Sequence, residues 1–348
     1  MSRELRKQDH INHALQTGQS GRHGLDQVQF VHQSLAGIGE QEIDMKVDWA
    51  DRRWEAPFYI NAMTGGGGQK TKEINGALAK AAGAAGIPVA VGSQMAAVKD
   101  PGQADTFAVV RRENPDGIVF GNIGMDAGVE EALRAVEMIE ADALQIHLNP
   151  VQEMIMPEGD RDFTGVLERL TTICRNVDVP VIVKEVGFGI SMETAALLKE
   201  AGVNAVDAGG RGGTNFAEIE NLRRERPVSF LNEWGIPTSV SIVEAASQSF
   251  SLVTAAGGIR SSLDAAKSYA LGAGACGMAG HMLKLVTEQG WEAAAEELGE
   301  MKKELRTIMT LLGVRNMNEW KNTKILITGE TAEWLKLRGF SVEGFAQR

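Results

Sequence analysis

Short runs of branched and apolar residues recur along this chain, separated by longer stretches whose apolar positions return every three or four residues. The short runs fall at 57–62, 87–91, 118–121, 143–148, 179–183, 205–208, 252–256 and 275–278. Apolar runs of this length, bounded by glycine or polar residues, read as buried strands. Between them, Ala-, Leu- and Glu-rich segments at 71–85, 129–139, 163–176, 192–201, 240–247 and 263–271 carry helical spacing. Strands alternating with helices make a parallel sheet covered by helices, and eight is the number that closes. The pattern predicts an α/β fold, a (β/α)8 TIM barrel over 56–313, in a single domain of 348 residues. A polar leader, 1–55, precedes the barrel and a C-terminal extension, 314–348, follows it. The connection 209–237 is long for the repeat and predicts a lid. The extension carries Trp320 and Trp334 and predicts a subunit contact, a clamp over the barrel or a packing helix.

Polar residues gather where the predicted strands end: Asn61 to Thr64, Gly92-Ser93, Asn122, His147, Lys184 and Gly257. A barrel interior favours branched apolar side chains, while its C-terminal rim carries chemistry. Two late segments are more specific. Val253-Thr254-Ala255-Ala256-Gly257-Gly258-Ile259-Arg260 and Gly277-Met278-Ala279-Gly280 both run from apolar residues into glycines and then into helical spacing. Glycine turns of this kind bring bare N–H groups and helix N-termini together, which is how such a barrel grips a phosphate after its last two strands.

Gln145, His147 and Asn149 alternate with Leu144, Ile146 and Leu148, so period two places them on one strand face. Gln152 and Glu153 follow directly. Read alone, Glu153 is either a solvated loop acid or a ligand for Mg2+, which takes one or two carboxylates plus substrate phosphates. Lys184 closes an apolar strand and needs an anion, either the adjacent Glu185 or a bound ligand. Glu185 itself projects to the opposite face and reads as structural. The run Gly65-Gly66-Gly67-Gly68 allows close approach of a ligand or a flexible rim turn, and lacks the spacing of a nucleotide fingerprint. Arg6 and Lys7 alone read as solvated charge.

Net charge is −11, so no basic field is present to hold nucleic acid or an anionic membrane. The two cysteines, Cys174 and Cys276, are too few for a disulfide framework or a cysteine-rich metal site and suit a reducing cytoplasm. No apolar stretch approaches the ~20 residues that span a bilayer, and residues 1–19 lack an apolar signal core. The expectation is a cytoplasmic protein.

With these residues in hand, the chain resembles the type 2 isopentenyl-diphosphate isomerases. The likeness runs from Arg6-Lys7-Gln8-Asp9-His10 nearly to the C-terminus, through INAMTGGGG (60–68), VGSQM (91–95), QIHLNPVQE (145–153), VIVKEVGFG (181–189), GGTNF (212–216) and GMAGHML (277–283). The resemblance implies a TIM barrel that binds FMN, requires Mg2+ and interconverts isopentenyl and dimethylallyl diphosphates. It implies FMN on Ala62, Met63, Thr64, Ser93, Asn122, Lys184 and Thr214, with the FMN phosphate on Gly258, Ile259, Arg260, Ala279 and Gly280. It places the substrate diphosphate on Arg6, Lys7, His147 and Asn149, Gln152 beside the isoprene unit and Mg2+ on Glu153. From this we expect Gln152 to be the catalytic side chain that positions the alkene and relays a proton, with Glu220 of the 209–237 connection near the flavin. Reduced FMN is the implied acid–base, NADPH serves only to reduce it, and the implied assembly is a tetramer or octamer.

The rival on a similar barrel is an FMN-dependent 2-hydroxy-acid oxidase, which places a catalytic histidine just before a Gly-Gly-Arg-like turn. Here Ala208 precedes Gly209-Gly210-Arg211. A nucleotide dehydrogenase of the IMP type needs a nucleophilic cysteine in a rim loop, whereas Cys174 falls in a predicted helix and Cys276 in a predicted strand. A non-catalytic flavin-binding barrel would need the phosphate grip but not Arg6, Lys7, Gln152 and Glu153 together.

Overall fold

A computed structural model describes residues 21–348; Arg6 and Lys7 lie outside the described residues. Three short strands come first, β1 (Val28–Phe30), β2 (Val47–Trp49) and β3 (Arg52–Trp54). Eight more form the barrel: β4 (Phe58–Ile60), β5 (Val89–Ala90), β6 (Val119–Gly124), β7 (Ala143–Leu148), β8 (Val181–Glu185), β9 (Ala205–Asp207), β10 (Leu252–Ala255) and β11 (Ala275–Met278). Each pairs in parallel with the next, and β11 pairs with β4 to close the ring. A last strand, β12 (Ile325–Ile327), lies outside it. All eight predicted runs overlap barrel strands.

The covering helices form where the spacing demands. In Val129–Ile139, Ala132, Ala135 and Ile139 are the buried positions, one stripe on an otherwise polar helix. It starts where Glu131 accepts the Gly128 N–H (3.0 Å) and stops at Glu140, whose φ of 48° cannot continue a right-handed helix. Ser261 caps the helix Ser262–Leu271 by accepting the Asp264 N–H at 3.1 Å.

The leader does more than its polarity suggests. β2 and β3 form an antiparallel hairpin that stoppers the end of the barrel where the strands begin. Trp54 is fully buried and sits 6.3 Å from Tyr59 and 6.0 Å from Phe120, ring to ring, while Trp49 meets Phe120 edge-on at 6.1 Å. β1 pairs with β12 antiparallel, Val28 opposite Ile327, which ties the leader to the extension. Trp320 is buried between Phe30 (6.1 Å) and Tyr269 (5.6 Å), so this part of the extension packs as core. Trp334 stays partly exposed.

One layer of the barrel interior is polar. Tyr59 donates its hydroxyl proton to Asp207 Oδ2 at 2.6 Å, Asn61 Nδ2 donates to the same oxygen at 2.6 Å, and the Gly209 N–H donates to Asp207 Oδ1 at 3.1 Å. Asp207 is fully buried, and a buried carboxylate persists only when its lone pairs are met. Burial, followed by the Asp207 charge, holds the Tyr59 phenol well above its usual range, so it remains a donor. The acid thereby links the barrel floor to the glycine loop after β9.

Candidate active site

Two cavities open at the C-terminal ends of the strands. The first is lined by Asn61, Ala62, Met63, Lys184, Val186, Gly187, Gly209, Gly213, Thr214, Phe216, Ala256, Gly257, Gly258, Ile259, Gly277, Met278, Ala279, Gly280 and His281. Gly257 and Gly258 have φ of 104° and 87°, and an added Cβ would stand 2.1 Å from Gly210 O and 2.3 Å from Gly212 O respectively. Only glycine lets the backbone turn so tightly there.

The helix Gly280–Glu288 begins on this cavity with no side-chain cap and no acid in its first turn. Its leading N–H groups are therefore available to an anion. The neighbouring helix Ser262–Leu271 differs: Asp264 accepts from the Arg260 N–H (3.1 Å) and from Ser261 Oγ (3.0 Å), closing its own N-terminus. The long helix Trp291–Leu312, packed against Gln69–Ala85, fills the regular eighth place around the barrel, which leaves Gly280–Glu288 as the short extra helix that such barrels use for phosphate.

Lys184 is buried at 8% exposure, and its Nζ donates to Glu185 O at 2.8 Å. Lys184 lines this cavity, so an anionic ligand there would meet its side-chain nitrogen, whose charge also acts on the neighbouring Glu185 carboxyl. Glu185 faces the other way, as its alternation predicts, and accepts the N–H groups of Phe188 (2.5 Å) and Gly189 (3.0 Å). Burial pushes its carboxyl up to about 7, against the pull of those donors and of Lys184.

The second cavity is lined by Gly66, Ser93, Met95, Ala96, Lys99, Gly124, Met125, Asp126, His147, Asn149, Gln152, Glu153, Met156, Glu158 and Asp160. His147 and Gln145 share a face, as expected from period two. Asn122 ties them together, its Oδ1 at 3.0 Å from His147 Nδ1 and its Nδ2 donating to Gln145 Oε1 at 3.2 Å. Asn149 has already left the strand. There the chain turns at Pro150 into the six-residue helix Pro150–Ile155, and Asn149 Nδ2 donates to Glu153 Oε1 (2.9 Å) and Gln152 Oε1 (3.4 Å). Glu153 Oε2 accepts the Asp160 N–H at 2.9 Å. Gln152 Nε2 donates to Glu220 Oε1 at 2.8 Å, across from the 209–237 connection. That connection is not an open lid: it contains the helix Phe216–Asn221, capped by Asn215, whose Nδ2 also donates to Asn232 O at 2.8 Å.

Of the residues expected to hold FMN, the first cavity brings together Ala62, Met63, Lys184, Thr214, Gly258, Ile259, Ala279 and Gly280. Ser93 lines the second instead, with His147, Asn149, Gln152 and Glu153. Thr64, Asn122 and Arg260 line neither. Thr64 Oγ1 donates to Asn75 Oδ1 at 2.6 Å, and the Arg260 guanidinium donates to Gly21 O (3.1 Å) and Gly212 O (2.8 Å). The sequence reading missed Asp207, Lys99 and Arg223. An acid closing an apolar strand was a visible signal for Asp207, whereas Lys99 and Arg223 had none.

The glycine turns, the uncapped helix terminus and Lys184 fit FMN by its phosphate and ring, and the fold defines the class: a barrel of the FMN-dependent dehydrogenase family, whose model matches residues 141–327. Solved mandelate oxidase (TM-score 0.63, 17% identity, 94% of this chain and 98% of that one) and Pediococcus acidilactici lactate oxidase (0.63, 16%, 88% and 85%) show the same fold. Isopentenyl-diphosphate delta-isomerase of Bacillus licheniformis is 53% identical over 97% of each chain, and that of Geobacillus sp. (strain WCH70) is 52% identical over 100% of each. The chain belongs to the isopentenyl-diphosphate delta-isomerases, of the FMN-dependent type 2. Among the described residues no helix is long and apolar enough to cross a membrane.

Proposed function

We propose that this enzyme moves the double bond of isopentenyl diphosphate to give dimethylallyl diphosphate and back, with FMN in the first cavity and the diphosphate, carried by Mg2+, in the second. The observation that supports this most is the junction of the cavities: His147 of the second and Lys184 of the first are register partners on β7 and β8. A diphosphate held at His147 would lie within one small molecule's length of a ring held at Lys184. Reduced FMN would supply the acid–base at its ring nitrogen, with NADPH needed only to reduce it and no net redox in turnover.

The chain's own groups then have definite work. Glu153 would be the carboxylate ligand of Mg2+. No group of three His, Cys, Asp or Glu that could hold a metal alone occurs among the described residues, so the ion would keep waters and lean on the substrate phosphates. Asn149, bonded to Glu153, orients that carboxylate. Among the described residues, Lys99 is the single lysine or arginine lining a cavity that also carries Asp126, Glu153, Glu158 and Asp160. A diphosphate entering there requires Mg2+ and cations to offset those acids, and Lys99 joins Arg6 and Lys7 in that role. Gln152, nearly buried, would position the isoprene unit. One alkene carbon would gain a proton and the allylic carbon on the other side would lose one, by way of a cation-like tertiary centre that exclusion of water from the loaded site would protect.

The 2-hydroxy-acid oxidase alternative lacks its base, since fully buried Ala208 stands before Gly209. An IMP-type dehydrogenase lacks its nucleophile: burial pushes the Cys174 thiol up to about 11 and that of Cys276 higher still. One assay decides. Purified protein with FMN, NADPH, Mg2+ and isopentenyl diphosphate, kept anaerobic, should form dimethylallyl diphosphate while oxidising no more NADPH than reduces the FMN. Consumption of NADPH in proportion to a reduced product would establish the redox reading instead.

A further inference from the structure

Beyond the cavity wall, Gln152 belongs to a chain of charged partners that the isomerisation itself does not name. Glu220 is fully buried on the helix Phe216–Asn221, and its two oxygens have different partners. Oε1 accepts from Gln152 Nε2 at 2.8 Å, while Oε2 accepts from Arg223 Nη1 at 2.5 Å. Arg223 Nη2 reaches on to Glu158 Oε1 at 2.7 Å, and Glu158 lines the same cavity as Gln152. The next residue, Arg224, donates from Nη1 to Ile155 O at 2.5 Å and so fastens the connection to the end of the Gln152 helix.

A glutamine amide has a donor end and an acceptor end of nearly equal shape, so its neighbours decide which way it points. An ionised carboxylate can only accept. With Glu220 charged, the NH2 of Gln152 must face it, and Oε1 turns toward Asn149 Nδ2 and the cavity. A protonated Glu220 could donate instead and would permit the opposite orientation. A carboxylate removed from water keeps its charge more readily when a countercharge is bonded to it. Arg223 supplies one, with 13% of its side chain exposed.

We propose that Arg223 is a positioning residue: by holding Glu220 as a carboxylate it fixes the orientation of the Gln152 amide, and Glu158 holds Arg223 in place. This rests on the isomerase reading of the second cavity. Arg223 itself lines neither the first cavity nor the second.

The test compares Arg223→Met, Arg223→Lys and Glu158→Gln in the FMN-loaded enzyme, with kcat followed from pH 6 to pH 9. Arg223→Met should keep FMN affinity within about twofold and lose about tenfold or more in kcat at pH 7, one displaced hydrogen bond costing that much. Its kcat should recover as pH rises and Glu220 ionises, giving a limb the wild type lacks. Arg223→Lys should restore most of kcat and the flat profile, and Glu158→Gln should lie between. In flavin-free protein at pH 7, the infrared spectrum of Arg223→Met should gain a protonated-carboxyl stretch that disappears when Glu220→Gln is added. An unchanged pH profile and no carboxyl band overturn the proposal, as does an equal loss of kcat in a Gln152→Asn background. If Arg223→Met does not fold, the profile of Glu158→Gln decides: a new rising limb supports the proposal, and a flat profile overturns it. A wild type that makes no dimethylallyl diphosphate sinks the isomerase reading, and this inference with it. An active wild type with insensitive variants sinks this inference alone.

Discussion

His147 and Lys184 stand side by side in register on β7 and β8, yet each lines a different cavity. Their adjacency turns two pockets into one mouth. The side chains that would face a flavin and those that would face a diphosphate are set by neighbouring strands whose spacing cannot drift, because parallel strands lie about 4.8 Å apart. The first cavity takes much of its polarity from backbone N–H groups, with the side chains of Lys184, Asn61, Thr214 and His281 beside them, and the second from side chains. Substitutions should therefore separate flavin binding from substrate and metal binding.

Gly258→Ala should damage the first cavity alone. The new Cβ would stand 2.3 Å from Gly212 O at a φ of 87°. Strain of this kind costs on the order of 1–3 kcal/mol, so the turn must shift and FMN affinity should fall at least about tenfold. Fluorescence titration of flavin-free protein measures it; an unchanged Kd would remove this turn from the phosphate grip.

Glu153→Gln should spare FMN and raise the Mg2+ concentration needed for half-maximal activity by roughly tenfold or more, since a hard cation prefers an anionic oxygen. The amide keeps one acceptor oxygen where the carboxylate had two, so only one of the bonds from Asn149 Nδ2 and the Asp160 N–H survives unless Asn149 turns its own amide, and the loss combines charge with position. An unaltered Mg2+ curve would count against Glu153 as the ligand.

Lys99→Ala should act on the diphosphate. A hydrogen bond to a charged group contributes about 1.5–3 kcal/mol, so KM for isopentenyl diphosphate and Ki for inorganic pyrophosphate should each rise about tenfold or more, with kcat changed by less than about threefold. Added salt should shrink the difference between wild type and variant. Equal KM values would exclude the contact.

Glu185 predicts a pH dependence of stability. Its carboxyl is pushed from 4.5 up to about 7 in the folded chain, chiefly by burial. Between those values the folded state binds the extra proton, so this group makes the protein less stable as pH rises from about 4.5 to about 7. Glu185→Gln should flatten that part of the Tm-versus-pH curve, read by thermal unfolding from pH 5 to pH 8. The same slope in both proteins would show that the buried carboxyl is not the source.

The chain alone determined the barrel because its information is local. Eight short apolar runs, each with period-two or continuous burial, alternate with helical stripes, and closing eight parallel strands is the one arrangement that covers every run. The rim residues His147, Lys184 and Gly257 were legible for the same reason: each directly follows or ends such a run. What lies far apart in sequence was not legible. The Trp49 and Trp54 hairpin looked like part of a polar leader, since nothing local says that two tryptophans fill the open end of a barrel made later in the chain. The pairing of Val28 with Ile327, the Tyr59–Asp207 bond across 148 positions and the Gln152–Glu220 bond across 68 are contacts that only closure creates. Periodicity decides which face of an element is apolar, whereas the partner of a buried charge is decided by which elements the closed ring brings within hydrogen-bonding reach.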